Sequence, residues 1–114
     1  MPWSDDMQRQ PLGDLQEVFT VRNEPMLLIL GRPSCDDCVE WYAALDAWTP
    51  PHPLKVCTLD LSTELGEVFK EHHAWTAHIE MIPFNVLYVD GEPVDQWAGG
   101  SVERLVKALQ QPED

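Results

Sequence analysis

Two cysteines separated by two residues, Cys35-Asp36-Asp37-Cys38, are the groups in this sequence best suited to chemistry. A dithiol at that spacing can cycle between two thiols and one disulfide, or supply half of a metal site. The flanking sequence favours the first. Met26-Leu27-Leu28-Ile29-Leu30 is a continuous apolar run of the kind that forms a strand buried on both faces, and Gly31-Arg32-Pro33-Ser34 ends it. From 36 to 48 the chain sets Val39, Tyr42, Ala43 and Leu45 on one side, carries acids in its first turn, and stops at Thr49-Pro50-Pro51-His52-Pro53, which predicts a helix.

A cysteine pair at a strand-to-helix junction has both sulfurs in the first helical turn. Cys35 is then near the N-cap, its sulfur facing unpaired backbone N–H groups and the positive end of the helix dipole. That favours its thiolate and makes it the expected nucleophile. Cys38, one turn inward and less exposed, is the expected resolving thiol. Arg32 adds positive charge nearby while Asp36 and Asp37 oppose ionisation, and the sequence leaves that balance open. A zinc site needs two more ligands. Cys57, His52, His72, His73 and His78 are the candidates beyond carboxylates, with no second Cys-x-x-Cys and no His-x-x-x-His pair, so neither a metal nor a cofactor is expected. Cys57 lies mid-strand between Val56 and Leu59, where cysteine commonly acts as a small buried hydrophobe.

The remaining elements must position this pair. Residues 1–11 are polar, contain two prolines and show no periodicity, which predicts an irregular arm; 12–110 read as one domain and 111–114 as a tail. Leu12, Leu15, Val18 and Phe19 recur at helical spacing and predict a first helix of about ten residues, stopped by Asn23 and Pro25. Residues 54–60 partly alternate and predict a strand, and 63–73 place Leu65, Val68, Phe69 and His72 on one helical face behind a Ser62 or Thr63 cap. Residues 84–89 and 93–97, joined through Asp90-Gly91, form a hairpin signal because that dipeptide accommodates positive φ. Ser101 then caps a last helix striped by Val102, Leu105, Val106 and Leu109. The order α, β, α, β, α, β, β, α predicts an α/β fold with a central mixed four-stranded sheet, spatial order 2-1-3-4 counted from Met26, with helices on both faces.

Composition excludes whole classes of function. Among 114 residues, 7 Lys and Arg stand against 20 Asp and Glu, a formal charge of −13 whose field repels phosphate backbones and anionic lipid heads. No nucleic-acid or membrane role is expected, and no apolar run approaches the roughly 18 residues of a membrane span. An acidic start and an odd cysteine count point to a reducing, cytoplasmic setting. Hydrophobic content of 44% with 5 Trp argues for a folded globule.

These blocks together resemble the thioredoxin superfamily: residues 26–30 leading to Cys35-Asp36-Asp37-Cys38, the 56–60 strand, Ile82-Pro83 followed by 84–91, and Trp97-Ala98-Gly99-Gly100. The likeness spans nearly all of 12–110. Read from its residues alone, Ile82-Pro83 is a plain strand start, since proline is tolerated at the first position of a strand and X-Pro bonds are mostly trans. The resemblance implies instead a cis Pro83 packed beside Cys35, with Ile82 backbone groups open to an extended substrate. It also implies an exposed Cys35 nucleophile and a resolving Cys38.

Three departures from the superfamily pattern stand out: Ser34 where a tryptophan is usual, Asp36-Asp37 in place of Gly-Pro, and Ile29 where a buried acid assists proton transfer from the resolving thiol. A fourth feature is extra length between Asp60 and Pro83, which contains His72-His73-Ala74-Trp75-Thr76-Ala77-His78. It is expected to extend a helix and loop, with shaping of substrate access as the other reading.

The expected function is a thiol–disulfide oxidoreductase in cell redox homeostasis, acting on protein or small-molecule disulfides. Cys35 and Cys38 react; Ser34, Ile82 and Pro83 contact the substrate; Arg32, Asp36 and Asp37 modulate the thiols. The expected partners are proteins with disulfides or reactive thiols and an external thiol reductant or reductase. The alternative is a binding module or adaptor of the same fold with little redox turnover, with metal binding among its options.

Overall fold

A computed structural model describes residues 10–20, 24–32, 34–50, 54–79 and 81–110. The apolar run forms strand β2 (Met26–Gly31), every residue of which is buried. It can be buried on both faces because it lies in the middle of the sheet, parallel to β3 (Lys55–Asp60) on one side and antiparallel to β4 (Phe84–Val89) on the other. β4 turns through Asp90 (φ 51°) and Gly91 (φ 84°) into antiparallel β5 (Glu92–Ala98), so the Asp-Gly hairpin forms where the turn chemistry requires it.

The sheet has five strands in the order β1-β3-β2-β4-β5, not four. The added edge strand is β1 (Gln10–Pro11), which pairs in parallel with β3 inside the stretch expected to be an irregular arm. Leu12 continues the pairing by donating its N–H to the Thr58 carbonyl at 2.8 Å and is itself buried. Its apolar side chain thus belongs to a strand end rather than to a helix. The described part of the first helix, α1 (Glu17–Thr20), begins at Glu17 rather than near Leu12. The two described residues of β1, one of them a proline, have no periodicity to read; they are a strand because β3 offers them an edge. The other four strands keep the expected spatial order. Residues 1–9 of the expected arm, Asn23, Pro33, His52 with its flanking prolines, and the 111–114 tail lie outside the described residues.

Two apolar layers hold the sheet between helices. On one face α2 (Asp36–Asp46) and α4 (Val102–Leu109) bring Trp41, Leu45, Leu105 and Ala108 onto Leu27, Ile29, Val56 and Leu87. On the other, Val18 of α1 and Phe69 of α3 (Glu64–His72) cover Met26, Leu28, Leu30, Cys57 and Val86. Strand alternation sorts the residues of β2 between the two layers. Each of the three longer helices starts on a side-chain cap: Cys35 Sγ accepts from the N–H of Cys38, Thr63 from Gly66, and Ser101 from Arg104. The extra length after α3 becomes a short 3-10 helix, Ala74–His78. His73 fastens it to the fold by stacking on Phe69 at 4.0 Å, and Trp75 packs against Phe84 at 6.0 Å.

Among the described residues one polar residue, Asn85, is fully buried in this apolar interior. Asn85 of β4 accepts a hydrogen bond from Trp41 Nε1 (2.8 Å) and donates from Nδ2 to the carbonyls of Trp97 (3.2 Å) and Gly99 (2.8 Å). Replacing Asn85 with Ala removes three hydrogen bonds and leaves the indole N–H of Trp41 and two carbonyls without their partner. The expected loss is about 3 kcal/mol in urea denaturation. Alkaline stability depends on Tyr88, whose phenol is pushed up to about 12 by burial. The folded state therefore holds this proton more tightly than the unfolded chain does, so its contribution is intact below pH 10 and declines as pH rises through about 12. Urea midpoints measured between pH 9 and 12 should fall less steeply for Tyr88→Phe than for the parent chain.

Candidate functional site

The sequence builds this site at the end of β2, where the chain leaves the sheet. After Gly31 it turns through a Cys35 N–H to Arg32 carbonyl bond (3.2 Å) and enters α2 with Cys35 at the N-cap. An extended backbone at Cys35 (φ −92°, ψ 109°) directs its sulfur back over the first turn, 3.1 Å from the N–H of Cys38. Such a donor, together with the helix dipole, stabilises negative charge on that sulfur when the pair is reduced. In this structure Cys35 and Cys38 are joined as a disulfide, with Cα atoms 5.2 Å apart. Cys35 is partly exposed, whereas Cys38 is fully buried. The two sulfurs are thus unequal: an incoming group meets Cys35 first.

Strand β4 supplies the facing wall. The Ile82–Pro83 peptide is cis, and the Ile82 carbonyl oxygen lies 3.8 Å from Cys35 Sγ. Pro83 is buried and its carbonyl accepts from the N–H of Gly99 at 2.7 Å. Gly99 has φ +91°, a conformation glycine adopts without strain. Beyond Ile82 a cleft of about 230 Å³ is lined by Arg32, Leu61, Lys70, Thr76, Ile79, Met81 and Ile82. Met81 is 63% exposed, the most open large apolar side chain at this rim.

Of the residues singled out in the sequence, Cys35, Cys38, Ile82 and Pro83 converge. Arg32 shares the cleft with Ile82, while Ser34, Asp36 and Asp37 are exposed beside the pair. Cys57 is buried on β3, outside the Cys35–Cys38 disulfide and in the opposite apolar layer from Trp41. Ile29, where the resemblance led one to expect a buried acid, is fully buried in the layer that holds Leu27, Trp41 and Leu87. No three of His, Cys, Asp and Glu gather as a metal site among the described residues. The extra segment does reach the site, since Thr76 and Ile79 line the cleft.

Sequence reading passed over the other cleft residues, Leu61 and Lys70, and the pair Gly31 and Tyr42. A Cβ on Gly31 would fall 2.8 Å from Cys38 Sγ and 3.0 Å from the Tyr42 hydroxyl. The signal was present: Tyr42 is four residues beyond Cys38 and therefore on the same helical face. Leu61 and Lys70 carried none, because they reach the cleft only through the way α3 is set against the sheet.

Comparison with known proteins gives a likeness of structure and none of sequence. No family model and no curated protein matches this chain. Spinach chloroplast thioredoxin f in its short form superposes with a TM-score of 0.72 at 12% identity, covering 95% of this chain and 96% of that one. Schistosoma mansoni thioredoxin pre-protein gives 0.71 at 15% identity over 90% and 96%. A point mutant of Halobacterium salinarum thioredoxin gives 0.67 at 19% identity over 94% and 90%. The chain therefore has the thioredoxin-like α/β fold, with a disulfide-forming Cys-x-x-Cys pair.

The acids between the cysteines are open to substitution. Asp36→Asn with Asp37→Asn should raise the rate at which iodoacetamide alkylates the reduced protein at pH 6 by about 2–5-fold, because two negative charges leave the neighbourhood of a forming thiolate. The gain should shrink in about 1 M salt, where exposed charges are screened.

Proposed function

We propose that this chain is a thiol–disulfide oxidoreductase that reduces disulfides in proteins or small molecules. In the reduced form the Cys35 thiolate attacks one sulfur of a substrate disulfide. The substrate S–S bond breaks, one substrate thiolate leaves, and a Cys35–substrate disulfide forms. Cys38 loses its proton to solvent and its thiolate attacks Cys35 Sγ. The second substrate thiolate leaves and takes up a proton, while two electrons have passed from the dithiol to the substrate. An external thiol reductant or reductase then returns the Cys35–Cys38 disulfide to two thiols.

The observation that carries this reading is the inequality of the sulfurs: Cys35 is partly exposed at a helix N-cap, 3.8 Å from the Ile82 carbonyl, and Cys38 is buried within bonding reach behind it. Ile82 and Pro83 form the wall along which an extended substrate lies, with Ser34 at the opposite lip and the exposed Met81 as an apolar contact. Arg32, Asp36 and Asp37 set the local field. A reducing, cytoplasmic setting and a part in redox homeostasis follow from the same reading. A docking module without turnover is favoured by one feature, the apolar Ile29 where an acid would help Cys38 lose its proton.

Cys38→Ser separates the two. It should leave Cys35 able to attack but unable to release, so non-reducing gels of a cell extract should show dithiothreitol-sensitive adducts of the variant. Cys35→Ser should form none. If adducts are missing from the first variant, or equally abundant in both, the oxidoreductase reading fails. Partners retained after loss of both sulfurs would establish docking instead. Met81→Ser should raise KM for a protein disulfide about 3–10-fold with kcat little changed, the mark of lost apolar contact in the bound complex.

A further inference from the structure

We propose that the Tyr42 hydroxyl stabilises the Cys38 thiolate during resolution, by donating a hydrogen bond to that sulfur in the absence of a buried acid. The inference rests on the oxidoreductase reading and adds to it the group that makes the second step workable. A fully buried sulfur resists carrying charge, because a thiolate loses its hydration there. Cys38 must nevertheless become a thiolate to attack Cys35, and at the register positions beneath, β2 presents the hydrocarbon of Ile29 beside Thr58, while Asp60, paired with Gly31, is half-buried rather than buried.

The geometry supplies a substitute. Tyr42 lies one turn along α2 from Cys38, and both side chains project over the end of β2 at Gly31. Any side chain at residue 31 would stand between them, its Cβ 2.8 Å from the sulfur and 3.0 Å from the phenol oxygen. Gly31 does not adopt positive φ, so its backbone conformation does not call for glycine. What the position requires is space, and the two groups that share that space are the Cys38 sulfur and the Tyr42 hydroxyl.

A phenol keeps its proton at neutral pH and can donate while remaining uncharged. Tyr42 therefore acts as a donor, and the Cys38 proton leaves to solvent. Among the described residues the charged groups around this end of the sheet are Arg32 on the connecting loop, Asp36 and Asp37 in the first turn of α2, Asp60 at the end of β3, and Lys70 of α3, which shares the cleft with Arg32 and is paired with Glu67. The Asp60 carboxylate is engaged by the N–H and hydroxyl of Ser62, and β4 brings only Phe84 and Asn85 to the register positions nearest the site.

The test is the reaction of the reduced full chain with 5,5′-dithiobis(2-nitrobenzoate), followed by nitrothiobenzoate release in stopped flow across pH 5–10. Attack by Cys35 releases the first equivalent and resolution by Cys38 the second. Tyr42→Phe removes one oxygen and should slow the second phase about 3–10-fold relative to the first near neutral pH, with its profile displaced to higher pH and the two proteins converging at the alkaline end. Gly31→Ala, which pushes a methyl between sulfur and hydroxyl, should slow the same phase.

A second readout does not depend on turnover. With Cys35 and Cys57 both replaced by Ala, thiolate absorbance at 240 nm titrates Cys38 alone, and adding Tyr42→Phe should move that titration upward. Superimposable second-phase profiles and titrations with and without the hydroxyl would overturn the role of Tyr42. If the parent chain releases no second equivalent, it is the oxidoreductase reading that fails.

Discussion

The hydrogen bonds of Asn85 are the constraint on which the placement of the site depends. This one amide sits in an otherwise apolar layer and ties together three parts of the chain: α2 through Trp41, β5 through the Trp97 carbonyl, and the turn after β5 through Gly99. Inside an apolar interior each of these bonds has few alternatives, since breaking one leaves a polar group without water. The amide thereby fixes how far α2 sits from the start of β4. Cys35 is at the beginning of α2 and Pro83 immediately precedes β4, so the same three bonds set the separation of the thiol from its facing wall.

Close backbone approach completes the arrangement. Gly100 passes so near Trp41 that a Cβ there would be 2.7 Å from the tryptophan Cβ, and Gly66 fits α3 against the end of β3 so closely that a Cβ there would collide with the Asp60 carbonyl. At neither position is φ positive; the side chain is absent because another element occupies its place. These contacts draw α2 and α3 onto the sheet ends that carry the cysteine pair and the cleft. Arg104 adds an outer brace: its guanidinium pairs with both Asp95 oxygens at 3.0 and 3.1 Å and lies 4.5 Å over the Trp97 ring, joining α4 to β5.

One helix places the two sulfurs of the pair unequally. The N-cap position gives Cys35 partial exposure and amide donors, whereas the next turn points Cys38 inward. A buried acid is one way to help an inward thiol ionise, and Ile29 forgoes it. Over Gly31, the Cys38 sulfur and the Tyr42 hydroxyl both come within 3.0 Å of where a Cβ would stand. The negative charge of the chain also acquires a local meaning, since Asp36 and Asp37 stand in the first turn, where acids suit the helix dipole but oppose a neighbouring thiolate.

How much of this was legible in the sequence follows from how local each cause is. The buried strand at 26–31, the capped helices, the Asp-Gly hairpin and the position of the cysteine pair were readable because periodicity, caps and turn residues act over a few neighbouring positions. The β1 edge was not, since two residues make a strand only when an edge is already there to pair with. The later start of α1 was hidden for a related reason, as Leu12 is apolar whether it ends a strand or begins a helix. The sequence by itself determined which residues carry the chemistry and that they fall at a strand-to-helix junction. Only the tertiary structure decided what faces them. The Ile82 carbonyl beside Cys35 and the Tyr42 hydroxyl across Gly31 from Cys38 are brought in by packing between elements, and packing distances are not written in the spacing along the chain.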